Sequence, residues 1–270
     1  MNQALPQLFA KCKSENRAAL IGYLPAGFPN QRSAKKIIKS MISGGVDAVE
    51  IGYPYSDPVM DGPVIQAASE QSLANGTGAE DVFELLAHSA QLGAPSLVMS
   101  YWSPIERYGV AKFAAAITTS GGCGVITPDL TIEESGSWRD ESAKNGIDRV
   151  YVVAPSSSDA RLKLVSAQCS GFVYAASLMG VTGTRESVSG NASGLVAKLR
   201  ATTQLPIAVG LGVSTKEQAR EVATYADGVI VGSAFIKIIQ QYGGGRKGLK
   251  KVKELAQSLS EGVRSAKSIK

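Results

Sequence analysis

Glu50 sits in an apolar run among Ala48, Val49 and Ile51. A buried carboxylate there costs free energy unless it opens into a polar pocket. The run ends at Gly52, and the segment that follows, Tyr53-Pro-Tyr-Ser-Asp-Pro-Val-Met-Asp-Gly62, carries Asp57 and Asp61. A Pro- and Gly-bearing loop at a strand end suits a lid or a binding segment. Glu50 and Asp61 can then converge from different elements, and a buried carboxyl of raised pKa can move protons. The same residues also fit a plainer arrangement, a salt-bridged glutamate and a capping aspartate, and residue type does not choose between the two.

A second kind of chemistry is suggested by glycines. Met179-Gly-Val-Thr-Gly-Thr184, Val209-Gly-Leu-Gly-Val213 and Gly232-Ser-Ala234 each follow an apolar run. Glycines at such places let backbone amides approach an anion, although each pair alone is also ordinary turn chemistry. The sole histidine, His88, lies in an amphipathic helical segment far from these loops. It reads as a surface or packing residue, which argues against a Ser–His hydrolase. Acid–base work then falls to carboxylates, with tyrosines as candidates for support: Ser100–Tyr101 closes one strand, and Tyr174 lies within another. Either tyrosine also suits a core.

These residues need a frame. Short Val- and Ile-rich runs at Ala19–Tyr23, Ala48–Ile51, Ser96–Ser100, Gly124–Thr127, Arg149–Val153, Phe172–Ala175, Ile207–Val209 and Gly228–Val231 read as buried strands. Between them lie segments of helical spacing, among them Ser33–Ser43, Ala79–Gln91, Tyr108–Thr118, Asp159–Ala167, Gly194–Ala201 and Thr215–Thr224. Gly243–Gly245 precedes a last helix over Lys247–Arg264. Strand–helix alternation implies a parallel sheet covered on both faces. The strand count and the unusual residues just after strands favour a closed (β/α)8 barrel over an open sheet. No linker divides the 270 residues, which are expected to form one barrel domain, 1–270.

Composition narrows the class. The hydrophobic fraction is 44% and the charged fraction 19%, as in an ordinary globular protein. Net charge is +5, with a basic excess at Arg246, Lys247, Lys250, Lys251 and Lys253. That excess lacks the interleaved aromatics of a nucleic-acid face, so no nucleic acid is expected. Cys12, Cys123 and Cys169 are too few and too scattered for a disulfide framework or a metal site, which suits a reducing cytoplasm. No signal-peptide pattern or membrane-length apolar run occurs.

The segment Glu50-Ile-Gly-Tyr-Pro-Tyr-Ser-Asp-Pro58 with Asp61-Gly-Pro-Val-Ile-Gln66 resembles the signature of tryptophan synthase alpha chains. Pro25-Ala-Gly-Phe-Pro29, Pro128-Asp-Leu130 with Glu133-Glu134, Gly180-Val-Thr-Gly183, Gly210-Leu-Gly212 and Gly232-Ser-Ala234 continue the likeness in family order. The resemblance implies a TIM barrel that splits indole-3-glycerol phosphate into indole and glyceraldehyde 3-phosphate, with no metal or organic cofactor. It implies Glu50 as the acid–base residue, Asp61 as the catalytic aspartate and Tyr174 as a supporting neighbour. Gly183, Gly212, Gly232 and Ser233 would hold phosphate, and Tyr23, Met99, Tyr101 and Ile126 would wall the indole pocket. The implied partner is a tryptophan synthase beta chain, in an alpha2beta2 heterotetramer.

Tyr53, Tyr55, Met60, Thr131 and Trp102-Ser103 depart from the residues commoner in that family. They touch the loop after Gly52 and the beta-facing side more than the carboxyl pair. Two rival readings are weaker. Another phosphate-binding barrel of aromatic biosynthesis would often carry a catalytic lysine on a strand, and no strand core here has one. A catalytically silent barrel, acting only as an allosteric partner, is opposed by the presence of both Glu50 and Asp61.

Overall fold

The computed structural model describes residues 3–176, 186–210 and 212–266. Its strands are β1 (Ala19–Pro25), β2 (Ala48–Gly52), β3 (Ser96–Met99), β4 (Gly124–Thr127), β5 (Asp148–Val153), β6 (Val173–Ala176), β7 (Ile207–Gly210) and β8 (Gly228–Val231). All neighbours run parallel, and β8 returns to pair with β1, closing the barrel. The helices are α1 (Ala4–Ser14), α2 (Gln31–Ser43), α3 (Pro63–Ala74), α4 (Ala79–Gln91), α5 (Trp102–Tyr108) and α6 (Val110–Thr119). They continue with α7 (Gly136–Lys144), α8 (Asp159–Ser166), α9 (Glu186–Arg200), α10 (Lys216–Ala223), α11 (Ser233–Tyr242) and α12 (Arg246–Ser265).

Side chains alternate across each strand, and the core divides accordingly. Ile21, Ala48, Leu97, Ile126, Phe172 and Ile230 belong to a cluster inside the barrel. Leu20, Val49, Ile51, Val98, Val125 and Val229 belong to a larger cluster between the strands and the helices. Helix α1 closes the bottom of the barrel, pressing Leu5, Leu8, Phe9 and Cys12 into the inner cluster. Beside it, the Arg17 guanidinium donates to both Asp47 carboxylate oxygens, at 2.8 and 3.0 Å, and Asp47 also accepts the Leu20 amide at 2.8 Å. That bidentate pair ties the entry to β1 to the entry to β2. The upper end, where the strands finish, is left to the loops, which is where barrel enzymes place their chemistry.

All eight expected strands are present, with ends shifted by two residues or fewer. The helix expected over Tyr108–Thr118 is α6, and α5, which the helical spacing did not predict, precedes it across Gly109. Its φ of +97° is a left-handed conformation that suits glycine, and helical spacing alone does not register such a break. The polar helix α7 has too few apolar residues to announce itself. Helix α3, GPVIQAASEQSLA from its cap onward, is rich in small residues and carries only a weak apolar stripe.

Candidate active site

Glu50 follows Ala48 on the inward side of β2, while Val49 and Ile51 face the helices. It is 1% exposed, and its Oε2 has no hydrogen-bond partner. The salt-bridged alternative does not hold: among the described residues no cation pairs with it. Burial, followed by the nearby negative charge of Asp61, raises its pKa from 4.5 to about 8. The group is therefore largely protonated at neutral pH and can give up a proton near it.

Asp61 arrives from above. The β2–α3 loop leaves the barrel where the Tyr53 amide donates to the Met99 carbonyl at 2.8 Å. It turns back where the Asp61 amide donates to Pro58. The Gln66 side-chain amide donates to the Asp61 carbonyl at 2.9 Å, and α3 starts at Pro63. Proline is well placed at this first helical position, where its missing N–H is not needed. Desolvation raises the Asp61 carboxyl to about 6, while the Tyr101 hydroxyl beside it favours the charged form. Asp57, by contrast, is exposed and accepts the Ser56 hydroxyl at 2.6 Å.

Three tyrosines expected at the site surround this pair. Tyr23, Tyr101 and Tyr174 all have pKa values raised first by burial and then by the charges of Asp61 or Glu50. Tyr23 lies beside Glu50 across the β1–β2 pairing. Its ring crosses to the end of β2, where any Cβ on Gly52 would strike the hydroxyl. Tyr174 does the same on the far side, where a Cβ on Gly210 would strike its hydroxyl. In the sequence Gly52 only ends an apolar run and Gly210 only belongs to a glycine loop. The available signal was a glycine ending a strand beside a neighbouring strand's tyrosine.

Met99 and Ile126 are register partners on β3 and β4. Ile126 lies in the inner cluster and Met99 packs against it. Gly212 follows β7 with φ +65°, and Gly232 caps α11 after β8. The Phe235 and Ile236 amides bond back to the Gly232 carbonyl, and among the described residues the Ser233 and Ala234 amides before them have no backbone acceptor. These two loops follow neighbouring strands, β7 and β8, at the same end of the barrel as Glu50. Gly183 and the rest of Met179–Thr184 lie outside the described residues. His88 belongs to the outer wall, with Nε2 at 3.2 Å from the Lys35 carbonyl.

The sequence profile of the family described as tryptophan synthase alpha chain matches residues 9–264. The tryptophan synthase alpha chain of Streptomyces avermitilis is 53% identical over 264 residues, covering 97% of this chain and 95% of that one. A solved tryptophan synthase of Mycobacterium tuberculosis superposes with a TM-score of 0.90 at 42% identity, covering 96% of this chain and 98% of that one. The tryptophan synthase subunit alpha of Legionella pneumophila gives 0.88 at 30% identity, covering 97% and 98%.

The buried acid has a measurable cost. The folded pKa of Glu50 lies above the ordinary 4.5, so between about 4.5 and 8 the native state holds a proton that the unfolded chain has released. Its contribution to stability is complete below that window and is lost as pH rises through it. Glu50→Gln removes the titration. Its melting temperature should exceed that of the parent by a margin that grows from pH 5 to pH 8. A margin independent of pH in thermal melts would contradict the raised pKa.

Proposed function

The chain belongs to the tryptophan synthase alpha chain family, and on that premise we propose that Glu50 and Asp61 carry the family's cleavage of indole-3-glycerol phosphate into indole and glyceraldehyde 3-phosphate. The observation that carries this reading is the pairing of a 1% exposed, unpartnered carboxyl with a second carboxyl of lower pKa.

The two groups are separated in protonation by their surroundings, the pattern that lets one carboxyl act as acid while its neighbour stays charged. Protonated Glu50 donates to C3 of the indole ring, which becomes cationic toward its nitrogen. Asp61, as carboxylate, accepts the ring N–H and stabilises that charge in a site largely closed to water. Glu50, now a carboxylate, takes the proton from the side-chain hydroxyl next to the ring. The carbon–carbon bond breaks, its electrons restore the aromatic indole, and the alcohol carbon becomes the aldehyde of glyceraldehyde 3-phosphate. Glu50 ends protonated as it began. Tyr23, Met99, Tyr101 and Ile126 wall the ring, with Tyr174 beside the carboxyl. The backbone around Gly212, Gly232 and Ser233 receives the phosphate at the α11 N-terminus, with Gly183 contributing from a third loop.

The rim supports a partner. Val59 and Met60 are 79% and 48% exposed. The same β2–α3 loop contributes Tyr53 and Tyr55 to a groove of about 390 Å³, lined also by Leu73, Pro104, Arg107 and Tyr108. Exposed apolar side chains beside such a groove mark an interaction surface. Its occupant in this reading is a tryptophan synthase beta chain, in an alpha2beta2 assembly that passes indole onward. Among the described residues no helix is long and apolar enough to cross a membrane, and three buried free cysteines suit a reducing cytoplasm.

The reaction is tested by indole release. Glu50→Gln should lower turnover roughly 10²–10⁴-fold in a folded protein, and Asp61→Asn should bind substrate but turn over poorly. Turnover should fall on the acid side as Asp61 is protonated, near 6, and on the alkaline side as Glu50 loses its proton, near 8. Both midpoints belong to the coupled pair. Near-parental turnover in either variant would remove that residue from the mechanism. Docking is tested by Val59→Asp, which should weaken binding to the cognate beta chain about 10-fold or more while the free chain keeps its own indole release. Unchanged affinity in calorimetry would place the interface elsewhere.

A further inference from the structure

The β2–α3 loop meets the barrel wall at one phenol. The Met60 amide donates to the Tyr101 hydroxyl at 2.9 Å, and the same hydroxyl is near enough to the Asp61 carboxyl to favour its charged form. A phenol has one proton to give and lone pairs to receive, so it can accept from Met60 and donate to Asp61 together. Beyond Tyr53, and among the described residues, the loop's other hydrogen bonds stay within it or reach only α3.

Tyr101 is itself firmly held. It is 4% exposed at the junction of β3 and α5. Its ring also meets that of Tyr55, on the β2–α3 loop, at 5.3 Å and an inclination of 33°, a contact that Tyr101→Phe keeps. The Ser100 hydroxyl donates to its carbonyl at 2.8 Å. The next amide, Trp102, donates to both oxygens of Asp129 at 2.9 and 3.2 Å. A fixed oxygen therefore faces two consecutive residues of a loop with few ties of its own.

We propose that Tyr101 is a positioning residue whose hydroxyl latches the β2–α3 loop through the Met60 amide and holds the Asp61 carboxyl, ionised, over the reacting ring. This rests on Asp61 as the charge partner of the ring nitrogen, and adds to it the group that keeps Asp61 in place. A residue that only walls the indole would act through its ring, which Tyr101→Phe preserves. The latch acts through the oxygen, which that variant removes. Without the oxygen the Met60 amide loses its acceptor. Asp61 also loses the donor that opposes desolvation, so its protonation moves to higher pH.

The test is Tyr101→Phe in the full chain, read in two ways. Turnover at neutral pH should fall about 10- to 100-fold, the scale of one hydrogen bond to a charged group, with KM changed far less, and the acid limb of the pH–kcat profile should move upward. Independently of activity, hydrogen exchange at the Met60 amide should accelerate by about 10-fold or more. A folded Tyr101→Phe with the parental acid limb and parental Met60 protection would overturn the latch, and so would a loss confined to KM. Asp61→Asn separates the two claims. If it keeps normal turnover, the role of Asp61 fails. If it is inactive while Tyr101→Phe leaves the acid limb and the exchange unchanged, only the latch fails. In the Asp61→Asn background, Tyr101→Phe should lower turnover little further.

Discussion

The desolvation of one carboxyl, Glu50 on the inner face of β2, is the constraint around which the upper barrel is arranged. Inward positions on the neighbouring strands are filled by Ile21 and Leu97, and by Ile126 one strand further on, so water cannot solvate the charged form and no cation reaches it among the described residues. Moving a charge into such a place costs several kcal/mol, and a carboxyl meets that cost by keeping its proton to higher pH. What would be a defect in a purely structural barrel becomes a proton donor at neutral pH. The barrel makes this placement rigid: strand alternation aims the side chain, and the closed ring of strands fixes its neighbours.

Around that carboxyl the structure uses bulk and its absence together. Tyr23 and Tyr174 bring large rings to the mouth, and each needs a neighbouring strand to end in glycine, Gly52 and Gly210 respectively. Asp61 enters from a loop rather than a strand, so it is less buried than Glu50 and ionises at lower pH. Unequal desolvation, with the Asp61 charge acting on Glu50, thereby sets the two carboxyls apart, and the Tyr101 hydroxyl widens the gap on the Asp61 side. Beyond them, α1 seals the bottom of the barrel with Leu5 and Phe9, which leaves the upper end as the place where substrate chemistry belongs.

Much of this was legible in the sequence. A glutamate in an otherwise apolar run and a Pro- and Asp-bearing loop after it are local signals, and near-continuous apolar runs mark strands buried on both faces. The short helix α5 and its break from α6 at Gly109 were not legible, because 7 residues carry too little helical spacing and only the left-handed φ reveals the break. Nor was the fit between Gly52 and Tyr23, which lie on different strands and meet only through the β1–β2 register. The hold of Tyr101 on the Met60 amide spans 41 positions in the chain, and nothing in the residue types predicts it. Fit across strands and long-range hydrogen bonds are properties of the closed barrel, whereas the cost of burying a charge is visible wherever a carboxylate interrupts an apolar strand.

The central claim, that burial keeps Glu50 protonated at neutral pH, is tested most directly by following its side-chain carboxyl by carbon-13 NMR across pH, with Glu50→Gln used to assign the signal. The account predicts a midpoint raised to about 8, with a smaller inflection as the neighbouring Asp61 titrates. A midpoint near the ordinary 4.5 would mean that the carboxyl is solvated and charged at neutral pH, and would contradict it.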